Sequence, residues 1–571
     1  MFMKDFLLDD TDAPSDMSVV CDSTHNITGD KLNHKEANND ENKKKELTIK
    51  LDKDLLKFKA FFFLFFAGFG STFPYLGVYF KQLGLNASFV GILAGVRPLI
   101  QFISGPFWAL LADRYKARKA ILLFSILAWL VMTLLLAFPR PHKEICKLTN
   151  ITHPGINIIS EKPAQRSIVP AVGFQGRFGE LAYTENCVNC RPQLFTNFVK
   201  RNARDDGNSS EIILNIKLEN RNNSVLPWKR NQKSEEEISV QNGIHYRIKY
   251  IIERDQNEIR DIFYVLLVLI VIGEFLEAPS FIMIDTALLD HLGDEKKHYG
   301  KTRLFGSIGY GLASFSVGAL LDKFQFEFCG KVFTNYLVIF YIFSCFMVIG
   351  FIFGLFFVKF KYSNTKESSK PIECIKVFFS LKYGSFLAIC WFCGFCHGSI
   401  MNFLNWYLED LGASKLMMGV ATACRCSAII FGFFVSSFFI DRVGHIQLIC
   451  WALASYVGSY FGYSILHNPW WAIPVEVVQG LIYAISWSSC ITYLGEAAPP
   501  NTAATMQGIL QGVYWGLGTG SGAIAGGILI NHIGVRSSYH VGGILSSIIF
   551  VLFCGLQLVI AKREKKIGGT S

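Results

Sequence analysis

Twelve apolar stretches run through the chain, near residues 58–80, 87–112, 119–138, 262–288, 303–321, 335–358, 383–408, 416–440, 446–466, 470–494, 506–530 and 538–560. A helix needs roughly 20 predominantly apolar residues to cross the hydrocarbon of a bilayer, and every stretch meets that need. In lipid each backbone N–H and C=O must find its partner inside the segment, so such stretches fold as helices and tolerate the occasional Gly or Pro. The chain therefore reads as an all-α integral membrane protein of twelve spans, with the lipid bilayer as its first partner.

Composition agrees. Charged residues make up 18% of the 571, below the level of about 25% usual in soluble domains. The net charge of +10 would suggest an anionic partner, but its basic residues sit in short runs between apolar segments. That placement suits a cytoplasmic Lys/Arg excess and argues against nucleic-acid binding. There is no Walker loop and no nucleophile elbow, so nothing suggests an enzyme, and no cofactor or resident metal is implied. Residues 1–57 are polar and lack an apolar leader; they read as a disordered tail, with the first span acting as its own insertion signal.

Lys and Arg near the span ends set the orientation. One side carries Lys53, Lys57, Lys59, Arg114, Lys116, Arg118, Lys119, Lys296, Lys297, Lys301, the stretch 359–382 and the final Lys562, Arg563, Lys565 and Lys566. The other carries Lys81, Lys323, Lys331, Lys415 and Arg536. Both termini are expected in the cytosol. The plasma membrane is the expected home, an endosomal membrane the other candidate.

Residues 139–260 form a long polar loop on the outside. It holds three glycosylation sequons, at Asn150, Asn208 and Asn222; a fourth at Asn86 lies close to the membrane, and one at Asn26 falls in the cytosolic tail. Cys146, Cys187, Cys190 and Cys329 lie outside as well. In an oxidising compartment they are expected to form disulfides, and four cysteines allow three pairings. A loop this long exceeds what a connection needs, so an extracellular protein partner at 139–260 is one reading of it.

Shifting the sequence by 328 residues aligns 79–114 with 407–442 without a gap. Tyr79 meets Tyr407, Leu83-Gly84 meets Leu411-Gly412, Gly91 meets Gly419, Arg97 meets Arg425, and Asp113-Arg114 meets Asp441-Arg442. A mid-membrane Arg and an Asp-Arg pair just past a span recur together, so the chain reads as two six-helix bundles, 58–358 and 383–561, joined by the linker 359–382 and followed by a short tail, 562–571. Parallel six-helix halves are the organisation of secondary transporters, which bind solute near the midplane between the halves.

The Asp-Arg element resembles the cytoplasmic-loop motif of the major facilitator superfamily, Asp-Arg-x-Gly followed by basic residues. It reads Asp113-Arg114-Tyr115-Lys116-Ala117-Arg118-Lys119 here, with Lys116 in the place of the family Gly, and Asp441-Arg442-Val443-Gly444 in the second copy. More closely the chain resembles the major facilitator superfamily domain-containing protein 6 group, within the lactose permease and nucleoside–proton symporter branch. Arg303-Leu-Phe-Gly-Ser-Ile-Gly309, Gln479-Gly480, the run from Ala498 to Gly508, Gly516-Leu-Gly518 and Gly526-Gly527 carry that likeness. It implies that spans 1, 4, 7 and 10 line a central cavity, and that a sugar- or nucleoside-like solute moves with protons. It also implies a conformational latch of Asp113, Arg114, Asp441 and Arg442 at the cytoplasmic rim, with Arg303 as a partner for Asp113.

Charge inside a membrane is costly and marks pathways. It occurs at Arg97 in span 2, Glu274, Glu277 and Asp285 in span 4, Arg425 in span 8 and Glu476 in span 10; span 7 adds His397, Asn402 and Asn405. Glu274 and Glu277 are three apart and share a face; Pro279 loosens the helix beyond them. Burial lets a carboxyl bind and release protons near neutral pH, so both are candidates for proton coupling or solute binding, with an ion pair to Arg97 as the structural reading. Glu476 and Gln479 are the corresponding candidates in span 10, and Asp285 reads as structural. Cys390, Cys393, Cys396 and His397 fall within one arc of span 7, but buried cysteines are ordinary packing and no metal is assigned. The expected function is proton-coupled symport of a small polar organic solute by alternating access; the alternative is a surface receptor acting through 139–260.

Overall fold

The computed structural model describes residues 30–142, 144–151, 236–240, 244–292, 298–328, 331–358, 360, 380–497 and 503–568. Two compact units result, residues 1–56 and 57–571. The first helix runs Asp30–Gln82 and so begins within the stretch expected to be a disordered tail, 1–57. Its Lys and Glu are strong helix formers, and a span that is already helical removes the cost of nucleation. The rest of that tail and nearly all of the linker 359–382 lie outside the described residues.

Eleven helices among the described residues are long and apolar enough to span a membrane: Leu55–Gln82, Ala87–Ala112, Arg118–Leu135, Gln256–Leu292, Tyr299–Leu321, Leu337–Phe357, Leu381–Asp410, Lys415–Val443, Pro469–Glu496, Met506–Ile533 and Val535–Ile560. The expected ninth span forms a helix too, His445–Ser464, packed on spans 10 and 12. It is less apolar because its buried face carries the hydroxyls of Tyr456, Ser459, Tyr460, Tyr463 and Ser464. Twelve spans thus stand as two sets of six.

The repeat is visible in the backbone. Gly84 and Gly412, which are 328 apart, both take positive φ, of 97° and 79°. Lys116 and Gly444 do the same, at 50° and 90°. Lys116 thus enters the left-handed region that favours glycine, and the tight loop after span 2 survives without the family Gly. The caps repeat as well: Asn86 Oδ1 accepts the Phe89 N–H at 2.9 Å and Ser414 Oγ accepts the Met417 N–H at 3.2 Å. Each starts the second span of its half.

Two small sheets were not expected. Strands β1 (Glu144–Ile151), β2 (Glu236–Val240) and β3 (Ile244–Arg254) pair antiparallel in the order β1-β3-β2, with Glu144 opposite Arg254 and Ile238 opposite Tyr246. Strands β4 (Gln325–Phe328) and β5 (Lys331–Thr334) make a hairpin between spans 5 and 6, with Phe326 opposite Phe333. The aromatic and β-branched residues of 244–252 favour a pleated strand, a pattern hidden inside a polar loop. Asn150 and Cys146 are carried on β1 with side chains outside the description, and Asn208, Asn222, Cys187, Cys190 and Cys329 lie outside the described residues.

The halves meet along spans 2 and 11, 5 and 8, and 1 and 7. Small residues allow the close approach: a Cβ on Gly95 would stand 2.5 Å from the Gly520 carbonyl oxygen, and one on Gly419 2.8 Å from that of Ser314.

Candidate functional site

Span 4 breaks where Pro279 cannot supply a ladder N–H, leaving helices Gln256–Glu277 and Pro279–Leu292. Glu274 and Glu277 sit on the last turn of the first piece, each 3% exposed. Arg97 of span 2 donates to Glu274 through Nε, and its Nη2 stands 3.8 Å from Glu277 Oε1. Gln101 Nε2 donates to the other Glu274 oxygen at 2.7 Å, and the Phe73 ring faces the guanidinium at 5.6 Å. Glu274 is thus doubly bonded, while Glu277 Oε1 is buried without a hydrogen-bond donor. One guanidinium faces two carboxyls.

The second half repeats the pair. Arg425 of span 8 lies 3.4 Å from Glu476 Oε2 of span 10, an ion pair without hydrogen-bond alignment at Nε. Tyr463 of span 9 donates to the other Glu476 oxygen at 2.5 Å. Arg97 and Arg425 are related by the repeat, and each takes a carboxylate from the fourth span of its own half. Here one guanidinium faces one carboxyl, and the charges balance.

Span 11 is α-helical over Ala503–Gln511 and Thr519–Ile533, but the turn between them, Gly512–Gly518, is a π-helix. It carries Tyr514 and Trp515 into an aromatic group. The His397 ring stacks on Tyr483 at 5.5 Å and meets Trp515 edge-on at 5.2 Å; Trp487 lies 5.0 Å from Tyr514. Gln479, one turn before Tyr483, is 4% exposed and neither end of its amide has a partner.

Other expected residues lie elsewhere. Asn402 Nδ2 bonds the Gly398 carbonyl of its own helix, and Asn405 Nδ2 bonds the Pro74 carbonyl of span 1, each at 2.7 Å. Tyr407 bonds the Leu466 carbonyl at 3.2 Å, away from the aromatic group. Arg303 donates to Asp285 and, at 2.7 Å, to Tyr299; the side chain of Asp113 lies outside the description. Arg114, Asp441 and Arg442 are exposed, and Arg442 rests on the Phe438 ring at 4.4 Å. Arg118 pairs with Asp290 at 2.8 Å and Lys119 bonds the Leu355 carbonyl at 2.8 Å, which gives both a packing role beyond simple anchoring. Cys390 Sγ faces Cys490 and Cys396 Sγ faces Ser546, so the cysteines of span 7 diverge.

A polar seam between the halves was missed in the sequence. Lys81 of span 1 reaches Asp410 at 2.6 Å and Glu409 at 3.0 Å on span 7. Lys415 pairs with the same Glu409. Asp322, just past span 5, accepts the N–H groups of Lys415 and Leu416 at 2.8 and 2.9 Å and so caps span 8 from the opposite half. All of these lie at one end of the bundle, where spans 1, 5 and 7 finish and span 8 begins. The available signal was the repeat itself, which sets Lys81 and Glu409 at equivalent positions. Gln101 and Tyr463 were missed because a neutral residue on an apolar helix carries no periodic mark.

The MFS_1 like family matches residues 55–541. Among curated relatives, major facilitator superfamily domain-containing protein 6-like protein B of Xenopus laevis is 23% identical over 82% of this chain and 84% of its own length. The human 6-like protein is 21% identical over 86% and 89%. Among solved structures, the nucleoside transporter NupG superposes with a TM-score of 0.57 at 13% identity, over 88% of this chain and 98% of its own. A D-xylose-proton symporter gives 0.50 at 12% identity, over 88% and 97%.

Proposed function

The chain belongs to the MFS_1 like family of the major facilitator superfamily, and from that premise we propose that it is a proton-coupled symporter of a small polar organic solute, working by alternating access. The observation that carries the coupling is the charge imbalance beside Arg97. Glu274 takes the guanidinium and the Gln101 amide; Glu277 is left buried at 3.8 Å with an undonated oxygen. A buried carboxylate without its own counter-charge is expensive, and a bound proton removes that expense, so Glu277 is the proton carrier in this reading. Arg425–Glu476, balanced within itself, is the structural counterpart. The seam through Lys81, Glu409, Lys415 and Asp322 closes one end of the path between the halves. Its release would open that end, as rocking of the halves about a midplane site requires. The Lys/Arg asymmetry supports a closed end on the non-cytosolic side of the membrane.

Reconstitution in proteoliposomes with an internal pH dye and pooled uncharged solutes tests this. Wild type should show solute-dependent proton flux. Glu277→Gln should lose pH-driven accumulation and retain solute exchange. Solute uptake without proton movement in wild type, or full pH-driven uptake by Glu277→Gln, would overturn the assignment.

A further inference from the structure

We infer that the π-helical turn Gly512–Gly518 is the moving wall of a solute subsite in the C-terminal half, and that this subsite takes a planar, uncharged ring with a hydrogen-bond donor and acceptor side by side. The inference names the solute class for the transport reading above and rests on it.

Three independent observations converge. First, π-helical turns are rare, carry an extra residue and concentrate at functional sites; this one holds Tyr514 and Trp515 against His397, Tyr483 and Trp487. Second, the side chains that face this wall carry orphaned polar atoms. Both ends of the Gln479 amide and Nδ1 of His397 are buried without partners. Such groups are costly to bury unsatisfied, and an amide asks for a donor and an acceptor together, which is the edge of a cyclic amide. Third, the aromatic rings offer stacking faces. The charged neighbours Arg425 and Glu476 are already paired with each other, which favours an uncharged guest.

The cavity among Gln479, Tyr483, Ser486, Trp487 and Tyr514 measures about 30 Å³. That is room for a water molecule and not for a ring, so the wall must move. A π-helix that releases its extra residue turns the succeeding helix by roughly 100°. The same change re-sets the turn itself and withdraws Tyr514 from the cavity wall. The turn also touches the other half: a Cβ on Gly512 or Gly516 would stand 2.3 or 2.8 Å from the Phe102 side chain of span 2. Ring entry and the contact between the halves therefore share one element.

Binding to purified full-length protein in lipid nanodiscs, read by tryptophan fluorescence and calorimetry, tests this without any proton gradient. The probes are uracil and 2-pyridone, whose rings carry an NH–CO edge, and 1,3-dimethyluracil, whose edge lacks the donor. Uracil or 2-pyridone should saturate the wild type, and dimethyluracil should bind at least about tenfold more weakly, as expected where buried polar groups are left unpaired. Gln479→Leu should remove that preference. The wild-type comparison stands even where the variant does not fold. No saturable binding of either NH–CO ring at millimolar concentration, or equal affinity for dimethyluracil, overturns the subsite. Ring binding without proton flux would instead overturn the coupling and leave the subsite standing.

Discussion

Replacing Asp322 by Ala removes a carboxylate that caps span 8 from the opposite half. It accepts the N–H groups of Lys415 and Leu416 at 2.8 and 2.9 Å. A hydrogen bond to a charged group contributes about 1.5–3 kcal/mol, and a negative charge at a helix N-terminus roughly 0.3–1 kcal/mol more. Ser414 still accepts the Met417 N–H at 3.2 Å, so span 8 keeps its own cap and the loss falls on the link between halves. Asp322 is only partly buried, and water satisfies the freed N–H groups, which sets the net loss near about 2 kcal/mol. Only the conformation closed at this face holds those bonds. The equilibrium should therefore move toward opening by roughly 30-fold, at about 1.4 kcal/mol per decade. Hydrogen–deuterium exchange in nanodiscs reads the shift: peptides covering 74–82, 402–410 and 415–422 should exchange faster in Asp322→Ala. Asp322→Asn should be intermediate, because its amide oxygen accepts one of the two bonds. Unchanged exchange at 74–82 and 402–410, in a variant that melts like wild type, would refute the assignment of this contact as the seal.

Three further outcomes are expected from the geometry. Lys116→Gly should relieve up to about 1 kcal/mol of left-handed strain and so raise the melting temperature, whereas Gly444→Ala should lower it, since its φ is 90°. Arg425→Ala leaves Glu476 buried without its counter-charge and should cost about 3–5 kcal/mol, read as lost folded yield; Arg425→Ala with Glu476→Gln should recover much of it. Asn86→Gln removes both a sequon and the cap on Phe89, so it should lower stability by about 1 kcal/mol, while Ser88→Ala removes the sequon alone and should leave melting unchanged.

The fold was legible because lipid simplifies the code: apolar length gives the spans and the Asp-Arg repeat gives the halves. Site residues were legible where they carry charge. The sequence offered Arg97 as an ion-pair partner for Glu274 and Glu277; Arg425 and Glu476 were each marked by charge, but their contact with one another came from the structure. Partners without charge were not legible. Gln101 and Tyr463 resemble many packing residues, and the π-turn at Gly512–Gly518 depends on three-dimensional contacts to Phe102 and Trp391 that no local spacing encodes. Lys116 shows the reverse case, in which the sequence lacks the expected Gly and the tertiary context still holds the turn.

Lys81 and Glu409 occupy the same place in the two repeats, and they touch at 3.0 Å. Two identical halves related by a true two-fold axis could not make that contact: the position would oppose Lys to Lys or Glu to Glu. The bond exists only because both halves are written in one chain, where each copy is free to mutate alone. Separate divergence of the two copies is what allows opposite charges to meet at one repeat position. An ancestor assembled from separate, identical six-helix proteins would have had to hold this end shut by some other means.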